Sequence, residues 1–200
     1  DYVGNPLMDN LTPSSLNSTP PLHEMERGAE SEGRGRVRIG FLPGTRSDAK
    51  KNLEDFERVA KEIAKQKKKV DLIVATKEAS VPAGFTKVGF AELLAKSDLV
   101  VGLSGTGNEQ AAGSGIPVIV FYGRGSQYNQ RFADAQKELL GEALLLVHGR
   151  FPALIAAAVW QLLDDPVRMR EMGAVGRERM GTPGAAEKIA RWIETCELQK

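Results

Sequence analysis

The sequence predicts an α/β domain built on a doubly wound, Rossmann-like parallel sheet. Three observations carry that prediction. Short apolar runs lack the polar alternation of a half-exposed strand, so they read as strands buried on both faces: "VRIGFLPG" (37–44), "VDLIVATK" (70–77), "DLVVGLS" (98–104), "PVIVFYG" (117–123) and "ALLLVH" (143–148). Segments with helical spacing lie between them, which is the pattern of parallel strands joined by crossover helices. Right-handed crossovers then wind helices over both faces of one sheet.

Each element has its own justification. "SDAKKNLEDFERVAKEIAKQKKK" places Leu53, Phe56, Val59, Ala60 and Ile63 on one helical stripe. Asp48 near its start and the lysines near its end complement the helix dipole, so Lys67–Lys69 mark a terminus rather than a nucleic-acid patch. "FTKVGF" is a short edge strand, and "AELLAKS" a short helix leading into the strand at 98–104. "TGNEQAAGSG" opens a helix from a cluster of small residues, and "SQYNQRFADAQKELLG" reads as a helix ending at Gly141. Three further helices, over 152–165, 167–180 and 184–198, close the chain.

The segment before the domain differs in composition. Residues 11–36 are rich in Ser, Pro, Gly and charge without a sustained period, and are expected to form a flexible linker. Residues 1–10, with Tyr2, Val3, Leu7 and Met8, are expected to pack against something, as a junction segment would. The first residue is Asp1, and the chain reads as a fragment of a longer protein.

Charge and cysteine content narrow the functional classes. With 27 basic and 26 acidic residues the net charge is +1, which argues against nucleic acid as the main partner. No apolar run reaches the length of a membrane span. A single cysteine, Cys196, forms no internal disulfide and fits a reducing, cytoplasmic setting; its place on an apolar helical stripe suggests a buried thiol. His23 has no Cys or His at ligand spacing, and no metal is expected.

In open parallel sheets, ligands bind beyond the carboxyl ends of the strands, where three loops have suitable chemistry. In "LPGTRSD", Pro43 and Gly44 turn the chain, Thr45 offers a hydroxyl and Arg46 a guanidinium fork. The stretch is either an anion clamp or a plain strand-to-helix turn with a solvent-facing Arg. In the second loop, Ser104, Gly105, Thr106 and Gly107 put bare backbone at a helix start, where a polyphosphate can approach. Gly102, Gly105 and Gly107 follow G-x-x-G-x-G rather than the dinucleotide fingerprint, and there is no G-x-x-x-x-G-K-[ST] loop. Glu109 and Gln110, in the first turns of that helix, are candidate acceptors for ribose hydroxyls, or Glu109 merely complements the dipole. The third loop, "YGRGSQYNQRF", offers Gly123, Gly125, Ser126, Gln127 and Asn129 as a pocket floor and Arg124 as positive charge. Tyr128 and Phe132 are expected to pack, and His148 to be a structural histidine near the same edge.

Together these pieces resemble the nucleotide-sugar-binding half of a GT-B glycosyltransferase, most of all lipid-A-disaccharide synthase and its relatives. "YVGNPLMD" resembles the family's Y-V-G-H-P-L-x-D at the junction of its two domains, "LPGTR" its L-P-G-S-R, and "SGTGNEQAAGSGIPVI" its S-G-T-x-x-x-E…G-x-P segment. The tail "LLDDPVRMREMGAVGRERMGTPGAAEKIARWI" resembles the usual end of the superfamily. The resemblance implies a UDP-sugar donor as substrate and no cofactor, with Arg46 on the diphosphate and Ser104, Gly105 and Thr106 along the phosphates. The family's ribose-binding Glu falls at Gln110, one place after Glu109, and Asn5 stands where the family has His. The resemblance further implies a hexosyl transfer to a lipid-linked or sugar acceptor, and a cytoplasmic protein able to lie against the inner membrane face. It also implies an N-terminal acceptor domain, absent from this chain, that carries the catalytic groups, so this piece alone would bind donor without turnover. A UDP-N-acetylglucosamine 2-epimerase-like enzyme and a non-catalytic nucleotide-binding module are the alternatives.

Overall fold

The computed structural model describes residues 4–11, 36–66 and 68–197, apart from the side chains of Cys196 and Glu197. Most of the expected linker (12–35, with His23), Tyr2, Val3, Lys67 and the thiol of Cys196 therefore lie outside the described residues.

Six strands form one fully parallel sheet: β1 (Val37–Leu42), β2 (Val70–Val74), β3 (Phe85–Lys87), β4 (Leu99–Gly102), β5 (Val118–Phe121) and β6 (Leu144–Val147). Their spatial order is β3-β2-β1-β4-β5-β6, so the direction of winding reverses between β1 and β4. Every residue of β4 and β5 is buried, as their continuous apolar sequences require. Phe41 of β1 makes edge-on ring contacts with Phe56 and Phe85, and Phe56 with Phe121. That cluster joins the sheet centre to α1 (Ala49–Ile63), whose buried stripe includes Leu53, Phe56, Val59 and Ile63.

The remaining helices are α2 (Phe90–Lys96), α3 (Thr106–Gly113), α4 (Gln130–Leu140), α5 (Pro152–Leu163), α6 (Pro166–Met180) and α7 (Ala185–Glu197). Two expectations shift for local reasons. The helix expected from Ser126 begins at Gln130, because Asn129 Oδ1 accepts the N–H of Phe132 and caps the helix there. The edge strand expected over "FTKVGF" is confined to Phe85–Lys87, and Phe90 already starts α2.

Helix α3 lies unusually close to α6. A Cβ on Gly176 would fall 2.2 Å from the carbonyl oxygen of Ala112, and one on Gly173 2.3 Å from that of Gly115. Only glycine permits this backbone approach. Residues 4–11 dock on the same assembly through a 3-10 turn, Pro6–Asn10, started by Asn5 Oδ1 accepting the N–H of Leu7. Met8 is fully buried against Gly113, and the N–H of Asn5 donates to Met180 O. The Asp9 carboxylate accepts the N–H groups of Gly184, Ala185 (3.1 Å) and Ala186 (2.8 Å), capping α7. Those bonds hold the Asp9 carboxyl below the usual Asp value. Among the described residues no helix is long and apolar enough to cross a membrane.

Candidate functional site

The carboxyl ends of β1 and β4 are adjacent: the N–H of Leu103 donates to Leu42 O at 2.8 Å, and Gly44 (φ +81°) turns within reach of Leu103 O. Here, at the reversal of strand order, opens a cavity of about 380 Å³. One wall comprises Leu42, Gly44 and Thr45 after β1; another comprises Ser104, Thr106, Gly107 and Gln110 at the start of α3. Ala75, Thr76 and Lys77, after β2, and Val88, Gly89 and Phe90, after β3, complete it. The sheet therefore brings together Gly44, Thr45, Ser104, Thr106, Gly107 and Gln110 from two loops separated by some sixty residues of sequence.

The mouth of α3 is narrow because its residues are small. Ser104 Oγ sits 2.7 Å from where a Cβ on Gly107 would be, and Leu42 Cδ1 3.3 Å from it. The helix phase distinguishes the two ribose candidates. Gln110 lines the cavity and its Nε2 donates to Leu7 O at 3.0 Å. Glu109 points instead toward α4, with Oε1 3.5 Å from Gln136 Nε2. Gly105 does not line the cavity either; a Cβ there would face the Phe132 ring at 3.2 Å. Arg46 is exposed and outside the lining.

The third loop lies elsewhere. Gly123 and Gln127 do not reach the cavity: Gln127 N–H donates to Asp48 Oδ2 at 3.1 Å, and its Nε2 approaches Ser47 Oγ at 3.3 Å. A Cβ on Gly125 would collide with the Asp48 carboxylate, and one on Gly123 with Tyr128 O at 2.6 Å. These glycines serve close packing on the start of α1 rather than a pocket floor. Arg124 is likewise committed, donating to Glu54 Oε2 (2.8 Å), Asp55 Oδ2 (3.0 Å) and Lys51 O (2.7 Å). Its bond to Glu54, then its pairing with Asp55, raise its already high pKa, and the same bond to Glu54 lowers the pKa of that carboxyl. His148 Nδ1 shares a 2.6 Å hydrogen bond with the Tyr122 hydroxyl, whose pKa is raised by desolvation and by Asp134.

Sequence reasoning missed the two walls after β2 and β3. Lys77 alone among the described lining residues carries a charge, and Val88 and Phe90 give the cavity an apolar end. The rule that places ligands at strand exits applies to "ATK" after "VDLIV" as well, and would have found it.

Neither a protein-family model nor a curated protein sequence matches the chain. Solved structures do match in fold. The UDP-GlcNAc 2-epimerase of Neisseria meningitidis bound to UDP-GlcNAc aligns with a TM-score of 0.64 at 19% identity, over 97% of this chain and 55% of that one. Sucrose-phosphate synthase of Thermosynechococcus elongatus aligns at 0.58 and 18% identity, over 98% and 52%. MurG of Acinetobacter baumannii aligns at 0.55 and 15% identity, over 83% and 54%. The chain thus has the Rossmann-like α/β fold found in GT-B enzymes, and spans about half the length of these structures.

Proposed function

We propose that this chain is the donor-binding domain of a glycosyltransferase that uses a UDP-sugar. The observation that carries the reading is the cavity at the β1/β4 reversal, walled by the Gly44–Thr45 turn and by the small-residue mouth of α3. In the first turn of α3 the N–H of Asn108 donates to Gly105 O, and those of Thr106 and Gly107, which have no carbonyl of their own helix to reach, favour a diphosphate. The apolar end at Val88 and Phe90 suits a planar base, and the amide oxygen of Gln110, a lining residue, would accept from ribose hydroxyls. Lys77, in the lining, and Arg46, next in sequence to the lining residue Thr45, would stabilise charge growing on the UDP leaving group during transfer.

The described lining contains no carboxylate or imidazole, so the groups that activate an acceptor would come from a preceding domain. The junction sequence "YVGNPLMD" supports lipid-A-disaccharide synthase as the family likeness, with a lipid-linked or sugar acceptor. Epimerisation of a UDP-sugar would use the same donor cavity but requires a proton-abstracting group beside the sugar. Its support is the fold likeness to the Neisseria epimerase.

Calorimetry with UDP, GDP and NADH tests the binding reading: UDP is expected to bind, and NADH binding without a UDP response would overturn it. Labelled UDP-sugars given to the full-length enzyme then separate transfer from epimerisation.

A further inference from the structure

We propose that Gln136, on α4 and outside the cavity, is a positioning residue that sets the mouth of α3 for its anionic ligand; this rests on the donor-binding reading above. Gln136 is 3% exposed, and besides its 3.5 Å contact with Glu109 its amide group bonds four other residues. Its Nε2 donates to Gly105 O at 3.0 Å and to Ser104 O at 3.4 Å. Its Oε1 accepts from Tyr128 OH at 2.7 Å and from Asn108 Nδ2 at 2.9 Å. Asn108 is fully buried, so one end of the network is anchored inside α3 and the other on α4.

The consequence follows from peptide geometry. In a trans peptide the carbonyl and the next N–H point in opposite directions. Fixing the Ser104 and Gly105 carbonyls toward α4 therefore turns the N–H groups of Gly105 and Thr106 away from α4. Ser104, Thr106 and Gly107 line the cavity and no residue of α4 does, so donors turned from α4 are free to face it. Gly105 has no Cβ to restrict its rotation; its carbonyl also accepts the N–H groups of Asn108 (3.0 Å) and Glu109 (3.3 Å), and Gln136 adds a bond from outside α3 that holds the Ser104 carbonyl as well. A clamp formed before the ligand arrives removes an ordering cost from binding.

The test compares UDP with uridine, by NMR titration, in the wild type, Gln136→Met and Tyr128→Phe. Gln136→Met is expected to weaken UDP by about tenfold while uridine stays within about twofold, since only the phosphates meet the mouth. Equal weakening of both ligands, or none, would overturn the proposal. Tyr128→Phe removes one donor but leaves Asn108 on the Gln136 oxygen, so it tests the same claim if Gln136→Met does not fold. Its expected loss is about threefold for UDP alone, and unchanged UDP affinity there overturns the claim. A wild type that binds no UDP refutes the donor reading instead. Amide exchange then still decides the positioning claim: loss of the clamp should speed exchange at 105–107 in Gln136→Met, and unaltered rates would overturn it.

Discussion

Replacing Gly176 by Ala tests whether α3 is held where the cavity needs it. A Cβ at this position would lie 2.2 Å from Ala112 O, 2.8 Å from its carbonyl carbon and 3.2 Å from its Cα. All three are backbone atoms, so no rotamer relieves the contact. A comfortable C···O separation begins near 3.3 Å, and α6 must therefore retreat from α3 by about 1 Å. Overpacking of this kind costs about 1–3 kcal/mol, and rigid backbone on one side favours the upper end. The helix propensity of Ala returns about 0.8–1 kcal/mol. The net loss is about 2 kcal/mol, or about 4–8 °C in Tm for a chain of this size. Urea denaturation should show a lower midpoint with an unchanged slope. Gly173→Ala meets Gly115 O at 2.3 Å and should behave alike. The double variant should lose less than the sum, because one retreat of α6 relieves both contacts. A Gly176→Ala protein more stable than wild type would refute the reasoning, since propensity would then be acting without a close backbone neighbour.

Three other outcomes are expected. Lys77→Ala should weaken UDP by about 1.5 kcal/mol, the low end for a charged hydrogen bond, and by more than Arg46→Ala, because Lys77 lines the cavity and Arg46 does not; calorimetry reads the order. Arg124→Ala should destabilise by about 1 kcal/mol in thermal melts, mainly through loss of its bond to the buried Asp55, since Glu54 is half exposed, yet leave UDP affinity unchanged. Asp9→Asn should lower Tm at neutral pH. The Asp9 carboxyl is held below its ordinary value when folded, so its contribution is full above the unfolded pKa and fades as pH falls through the folded one. The difference between the two proteins should therefore close below about pH 4, and a constant gap down to pH 2 would contradict that role for Asp9.

The fold was legible because buried parallel strands leave uninterrupted apolar runs, and "DLVVGLS" and "PVIVFYG" allow few other readings. The contact between the β1 and β4 turns was legible through the rule for open sheets, which joins loops distant in sequence. The third loop was not. Gly123, Gly125 and Arg124 have the composition of a phosphate loop, and only the positions of Asp48, Asp55 and Glu54 on α1 show that they are occupied with packing and ion pairs. The choice between Glu109 and Gln110 depends on helix phase, which a two-residue ambiguity in where α3 begins is enough to reverse. Gln136 gave no sign of its place because a lone Gln on an amphipathic helix reads as surface, and its partners Asn108, Gly105 and Ser104 lie 28–32 residues away.

The two departures from the synthase pattern, Asn5 and Gln110, meet at one place and make sense together. Gln110 faces the cavity with one side of its amide and donates with the other to Leu7 O, in the turn that Asn5 starts. A glutamate at this position would accept from a ribose hydroxyl equally well, but its carboxylate has no hydrogen to give Leu7. An amide here donates to Leu7 O and, on the donor-binding reading, would keep its oxygen as an acceptor for the cavity. That junction is no loose end: Met8 fills the space over Gly113, Asn5 reaches Met180 at the end of α6, and Asp9 caps α7. Gln110, in the cavity lining, is thus one hydrogen bond from the segment that ties α3, α6 and α7 together. On the donor-binding reading, a ligand that orders Gln110 would order residues 4–11 as well, through the bond to Leu7 O.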